Sequence, residues 1–119
     1  MAKHRFKDIQ AWQKARELVT LVYRYTGKFP TEEKYALTSQ IKRAVVSIAA
    51  NIAEGSGRNT DVDFAHFLDM AIGSAFELES DLIIAYDLNF IKLEDKEQLF
   101  LVLDEVQKLI VGFQKHLRK

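Results

Sequence analysis

Helical hydrophobic periodicity runs through nearly the whole chain and is broken at only a few places. Apolar residues recur every three or four positions, the spacing that places them on one face of an α-helix. The sequence has one proline and five glycines, and three of those glycines fall at the breaks. No segment shows the strict alternation of apolar and polar residues that is typical of a half-buried strand. We therefore predict an all-α fold.

The breaks divide the chain into four predicted helices. Their approximate bounds are 8–26, 31–55, 60–87 and 93–116. Short connections between long helices force consecutive helices to lie antiparallel. The sequence therefore predicts one domain, residues 1–119, that forms an up-down-up-down four-helix bundle.

Residues at the breaks are typical of helix ends. Asp8, Thr31 and Thr60 are predicted N-caps, because a short polar side chain there can accept a hydrogen bond from a free backbone N–H. Asp63 follows Thr60 as in a variant of the capping box. Asn89 suits the left-handed backbone conformation that often ends a helix.

Several classes of protein are disfavoured by composition. The chain lacks cysteine, so it has neither disulfides nor thiolate metal ligands. No apolar run reaches the roughly 18 residues that would indicate a membrane span. The first residues, MAKHRFKDIQ, lack the apolar core of a signal peptide. We expect a cytoplasmic protein without a metal or another cofactor.

Residues 44–53, AVVSIAANIA, carry no charge, although charged residues make up 29% of the sequence. A surface helix normally has charged residues on its outward face. The third predicted helix also has a broad apolar surface, so both middle helices have more apolar area than a small bundle can bury. Such surfaces usually mark an interface. We predict a homo-oligomer with the second and third helices at the interface, and the alternative is a compact monomer.

A polar line also follows the second predicted helix. It consists of Gln40, Arg43, Ser47, Asn51 and Glu54. The favoured interpretation is a structural hydrogen-bond network that fixes the register of the packed helices, and the alternative is a binding site. Arg43 and Glu54 are three helical turns apart and cannot reach each other, whereas a neighbouring helix or another copy offers either one a partner.

Catalytic patterns are weak. Asp63 and His66 have the i, i+3 spacing of some metal pairs, but a polar, solvated helix face explains them more simply. The segment GSGR at 55–58 follows a helix and lacks the spacing of a phosphate-binding loop. Some small helical ribonucleases have a histidine four to six residues after an arginine. Seven residues separate Arg58 from His66, so this spacing disfavours a ribonuclease, and no catalytic residue is predicted.

Charge is distributed unevenly along a chain whose net charge is zero. Residues 1–58 contain 11 Lys and Arg and 5 Asp and Glu, whereas residues 59–119 contain 6 and 12. The halves either form a basic surface for nucleic acid or complement each other, within one chain or between copies. Trp12, Phe64 and Phe67 lie on predicted core lines, so no stacking surface interleaved with basic residues is predicted.

Three segments resemble one protein family. They are FKDIQAWQKARELVTLVY, FPTEEKYALTSQIKRAVVSIAANIAEGSGR and FLDMAIGSAFELESDLIIA. The chain resembles the four-helix-bundle family named for intervening sequences in 23S ribosomal RNA, also called the S23 ribosomal protein family. AANIAEGSGR is the most specific part of the resemblance. The family is similar to the accessory variability protein of diversity-generating retroelements, whose group forms ring-like pentamers with basic surfaces thought to bind nucleic acid.

The resemblance implies a pentameric, non-enzymatic protein that associates with RNA or DNA. It implies nucleic-acid contacts at Lys14, Arg16, Lys42, Arg43 and Arg58. The implied assembly residues are Ala49, Ala50, Asn51, Ala53, Glu54 and Gly55. A second hypothesis is an oligomeric scaffold that binds a protein partner, and a third, disfavoured by spacing, is the ribonuclease.

Overall fold

A computed structural model describes residues 4–119. It shows four α-helices packed around an apolar core. The helices are α1 (Gln10–Thr26), α2 (Leu37–Ser56), α3 (Asp61–Asp87) and α4 (Leu93–Leu117). Two short 3-10 helices, Phe6–Asp8 and Thr31–Glu33, precede α1 and α2. No strand occurs between residues 4 and 119, so the all-α prediction is confirmed. None of these helices is long and apolar enough to cross a membrane.

Each helix packs against two others. α1 and α3 both contact α2 and α4. The core between them is built from aliphatic side chains at helical spacing, each of which stabilises the fold by about 1.5–3 kcal/mol when fully buried. The largest fully buried side chains include Leu18, Ile41, Ile48, Ile52, Phe64, Leu68, Leu78, Leu82, Leu99, Leu103 and Ile110.

Two predicted helix starts are wrong. Ile9, not Asp8, is the N-cap of α1, because residues Phe6–Asp8 form a 3-10 turn and the chain straightens only at Ile9. α2 begins at Leu37 rather than after Thr31. Pro30 is followed by a 3-10 turn in which the Glu33 N–H bonds Pro30 O and the Lys34 N–H bonds Thr31 O. Neither helix start has a side-chain cap.

The two ends of α3 follow the predicted local chemistry. Thr60 Oγ1 accepts a hydrogen bond of 3.1 Å from the Asp63 backbone N–H, which confirms the predicted cap. Asn89 has a φ of 65°, the left-handed conformation expected at this stop. The reversal lets the Phe90 N–H bond Ala85 O at 2.9 Å, which satisfies a free carbonyl in the last turn of α3.

At Gly55, α2 lies very close to α3. A Cβ atom at this position would lie 2.7 Å from Phe64 Cδ1 and 2.7 Å from Phe67 Cβ. Because Phe67 Cβ is attached directly to the backbone of α3, it cannot move aside as the end of a flexible side chain would. Gly55, which the resemblance places among the assembly residues, is therefore buried in a contact within one chain.

Asp81 of α3 and Thr38 of α2 are polar residues inside the apolar core region. They are 8% and 7% exposed. Asp81 Oδ2 and Thr38 Oγ1 are both buried and have no hydrogen-bond partner within residues 4–119. Burial, and after it the negative charge of Glu77, raises the pKa of the Asp81 carboxyl. Asp81 is thus a residue that costs stability when ionised.

We expect Gly55→Ala to lower the free energy of unfolding by about 1–3 kcal/mol, the usual cost of overpacking. The matched control is Gly73→Ala in the middle of α3, where an added Cβ meets nothing within 4 Å. The control should raise the free energy of unfolding by about 0.5–1 kcal/mol, because alanine favours a helix interior. Urea unfolding followed by circular dichroism measures both. Equal effects of the two substitutions would contradict the close approach of α2 and α3.

We expect Asp81→Asn to stabilise the protein at neutral pH. The raised pKa means that the folded state holds its proton to higher pH than the unfolded chain does, so the penalty grows as pH rises above about 4, the unfolded value. The advantage of the asparagine variant should therefore shrink on acidification towards pH 4. Urea unfolding of both proteins across this pH range measures it. A constant difference, or a less stable variant at pH 7, would contradict the assignment.

Candidate nucleic-acid interface

The four helices separate the charges of the protein by side. α1 and α2 together contain five Lys and Arg and two Asp and Glu, whereas α3 and α4 contain three and twelve. α3 has seven acidic residues and no lysine or arginine. Because α1 packs beside α2 and α3 beside α4, the bundle has a basic α1–α2 side and an acidic α3–α4 side.

Lys14 lies at the border of these two sides. Its Nζ atom is 3.2 Å from Glu17 Oε2 and 3.2 Å from Glu105 Oε2 of α4. The hydrogen bond with Glu105, followed by that with Glu17, raises the pKa of Lys14. Two carboxylates thus balance this cation, so of the predicted contact residues it is the one most strongly engaged in ion pairs within the chain.

Arg16 of α1 and Lys42 of α2 each lie over an aromatic ring of α1. The Arg16 guanidinium is 5.8 Å from the centroid of the Trp12 ring. Lys42, on α2, places its ammonium 4.8 Å from the centroid of the Tyr23 ring of α1. Neither cation has an acidic partner within 4.0 Å among residues 4–119, so both keep their charge available to a ligand on this side.

Arg43 and Arg58 occupy different places on α2 and the turn after it. Arg43 is exposed and makes a long hydrogen bond of 3.4 Å to Ser39 of its own helix. Arg58 bonds Glu54 at 3.2 Å and lies 4.4 Å from the centroid of the Phe67 ring. Within residues 4–119, Arg43 and Glu54 each find a partner one turn away and neither pairs with a neighbouring helix. Pairing of either residue with another copy stays a prediction.

The N-terminal segment adds cations at one end of α1 and α2. Arg5 and Lys7 are exposed and line a small cleft with Ala53 and Gly57 at the end of α2. Lys3, a further lysine in the basic half of the sequence, lies outside the described part of the chain. Arg5 and Lys7 extend the basic side beyond the start of α1.

Aromatic rings paired with these cations are the feature that sequence reasoning missed. Trp12 packs against the core as predicted, but its side chain is only partly buried, so part of the ring stays exposed. Tyr23 is 45% exposed. The i, i+4 spacing of Trp12 and Arg16 was visible in the sequence, but the contact of Lys42 with Tyr23 joins two helices and needs the fold.

The predicted assembly residues of α2 differ in how exposed they are. Ala50 and Glu54 are exposed, Ala49, Asn51 and Ala53 are partly buried, and Gly55 is buried. Large apolar side chains are also exposed on the outer surface of the middle helices, namely Val46, Met70, Phe76, Ile83 and Ile84. Their exposure in the single chain agrees with the excess apolar area expected from the sequence.

Asn51 and Ser47 belong to a network that joins α2 to α3. The Asn51 amide donates to Ser47 O at 2.9 Å and to Ser47 Oγ at 3.1 Å. Ser74 Oγ on α3 lies 3.0 Å from Ser47 Oγ. Ser47 and Asn51 of the polar line therefore take part in a structural hydrogen-bond network, as the favoured interpretation expects. The network fixes the register of α2 against α3.

His66 lies apart from His4 and His116, which both pack against Phe113 and line the same cleft. His66 is exposed on α3. His4 lies 3.8 Å from Asp61 and packs edge-on against Phe64 and Phe113, and His116 packs near Phe113. Between residues 4 and 119 no group of three His, Asp or Glu side chains is arranged to hold a metal ion.

These features define a class, an all-α protein of four packed helices whose cations are concentrated on α1 and α2. Comparison with known proteins is more specific. The model of the 23S rRNA-intervening sequence protein family matches residues 7–112, so the chain belongs to that family. This confirms the resemblance found in the sequence.

Among solved structures, the chain is similar to a protein of unknown function from the S23 ribosomal protein family of Bacteroides thetaiotaomicron VPI-5482. The two are 26% identical and superpose with a TM-score of 0.80, over 88% of this chain and 98% of that chain. No significant match was found among curated proteins. The family and the fold therefore rest on two agreeing comparisons.

Proposed function

We propose that the protein is a non-enzymatic nucleic-acid-binding bundle that contacts RNA or DNA through its α1–α2 side. The observation that carries the proposal is the separation of charge, which leaves Arg16, Lys42 and Arg43 on helices with few acids. Nucleic-acid backbones are bound mainly by clustered lysine and arginine. Arg58 contributes at the end of α2, and Lys14 contributes least because Glu17 and Glu105 balance its charge.

We also propose that the helices run up-down-up-down and that copies of the chain assemble into a ring, a pentamer by resemblance to the wider group. Paired contacts support the antiparallel order, since Gln114 bonds Ala65 at one level of α3 and α4 while Gln107 bonds Glu79 further along. The exposed apolar residues on α2 and α3 support assembly, because large patches of this kind usually mark an interface.

A second candidate function is a scaffold that binds a protein partner. The acidic α3–α4 side favours it, because α3 combines seven acidic residues with exposed Phe76 and Ile83. Nuclease treatment of a lysate before capture on the protein separates the two functions. Partners retained after complete digestion of nucleic acid would support the scaffold.

We expect structured RNA or duplex DNA to be retained at low salt and released as salt rises, because phosphate contacts depend on counterion release. Arg16→Glu combined with Lys42→Glu should abolish retention. Lys108→Glu combined with Lys115→Glu on α4, two exposed lysines outside the α1–α2 side, is the charge-matched control and should change retention little. Filter binding across a salt series measures each protein. Retention that ignores salt, or that survives the double reversal, would contradict the proposed surface.

We expect Ala50→Glu to dissociate the assembly while leaving helicity nearly unchanged, because Ala50 is exposed on the single chain and a charge there disrupts only a contact between copies. Leu101→Glu on α4, where the leucine is 65% exposed, is the control and should leave the assembly intact. Light scattering gives the mass, and circular dichroism gives the helicity. An unchanged mass for the Ala50 variant would show that Ala50 faces water in the assembled protein.

A further inference from the structure

A row of alternating aromatic and basic side chains follows the α1–α2 side. Trp12, Arg16 and Tyr23 are four and seven residues apart, which places them on one face of α1. Phe6 packs against Trp12 with ring centroids 4.9 Å apart and an interplanar angle of 73°. Lys42 reaches from α2 to the Tyr23 ring. We call these five residues the aromatic–cation row.

The surroundings of the row suit a flat, negatively charged ligand. At the end of the row nearest the N-terminus, Phe6 lines a cleft together with the cationic Arg5 and Lys7. The only acids of α1 and α2 are Glu17 and Glu54, and each is paired with a cation outside the row. The row therefore presents ring surface and positive charge together, without an acid among its members.

We propose that the aromatic–cation row binds single-stranded nucleic acid, with bases stacking on Tyr23 and Trp12 and phosphates contacting Arg16 and Lys42. This inference rests on the proposed function and names the form of nucleic acid that it favours. Stacking on aromatic side chains next to a positively charged groove is the usual basis of sequence-tolerant single-strand binding. A duplex keeps its bases stacked inside, so it can use only the two cations.

The spacing of the rings sets how the strand would be engaged. Trp12 and Tyr23 are eleven residues apart on α1, about 16 Å along the helix axis at 1.5 Å per residue. Stacked nucleotides of one strand follow each other at about 3.4 Å. The two rings therefore take bases several nucleotides apart, and Arg16 between them is placed to meet the intervening backbone.

Trp12 is the only tryptophan of the sequence and provides a direct readout. The probe is an unlabelled single strand of mixed sequence, compared with the same strand annealed to its complement. We expect the single strand to quench Trp12 fluorescence and to bind about tenfold more tightly than the duplex. Tyr23→Ala should weaken single-strand binding about tenfold, the effect of one lost stacking contact, and leave duplex binding unchanged. Tyr23→Phe keeps the ring and should bind as the parent does.

Tyr86→Ala is the matched control. Tyr86 also has a lysine over its ring, with Lys96 Nζ 4.3 Å from the centroid, but it lies on the acidic α3–α4 side. It should leave single-strand binding unchanged. The single-strand proposal would be overturned by salt-sensitive binding that is equal for the single strand and the duplex, causes no Trp12 quenching and is unaffected by Tyr23→Ala. The proposed function would then still stand. No binding of either form at low salt would overturn both.

Discussion

The close packing of α2 against α3 is the contact on which the rest of the bundle depends. Small residues are buried on both helices, namely Ala44 and Gly55 on α2 and Ala71 and Ala75 on α3, and Gly55 lies directly against Phe64 and Phe67 of α3. The distance between packed helices is set by the side chains that separate them, so small residues bring the backbones close. Once these two helices are fixed, α1 and α4 close the other side of the core by packing against them and each other.

That contact also explains two polar positions of the uncharged run at 44–53 and the glycine that follows the run in α2. Gly55 excludes any larger residue because of Phe64 and Phe67, and Ser47 and Asn51 are held in a network with Ser74. Contacts within one chain therefore explain the residues at these positions, without contacts to a second copy. Ala50 and Val46 are different, since both are exposed and nothing within the single chain requires them to be uncharged. Assembly is therefore indicated only by the uncharged and apolar residues on the outer surface of α2 and α3.

A feature of this structure can be predicted from the sequence when residues close together in the chain determine it. The ends of α3 were predictable, because the Thr60 cap and the left-handed Asn89 are determined by neighbouring residues. The start of α2 was not, since Pro30 and the acids after it have the composition of a helix N-terminus but form a 3-10 turn. The partner of Lys42 was also hidden, because Tyr23 is on another helix. Charge counts along the sequence showed that the N-terminal half is basic. That this half forms one side of the bundle depends on which helices pack together, and the charge counts do not show it.

Net charge is a poor guide to binding by this protein, because its charges are separated in space. The Cα atoms span 45 × 24 × 19 Å, so opposite sides of the bundle lie roughly 20 Å apart. The Debye length is about 8 Å at physiological salt. Under the proposed function, a phosphate at the α1–α2 side would therefore interact mainly with Arg16 and Lys42, and the acids on the far side of α3 would be largely screened from it. As salt is lowered the screening length grows towards 30 Å at 0.01 M, and the acidic side begins to weaken the attraction. The salt dependence of binding should thus flatten at the lowest ionic strengths, unlike that of a uniformly basic protein.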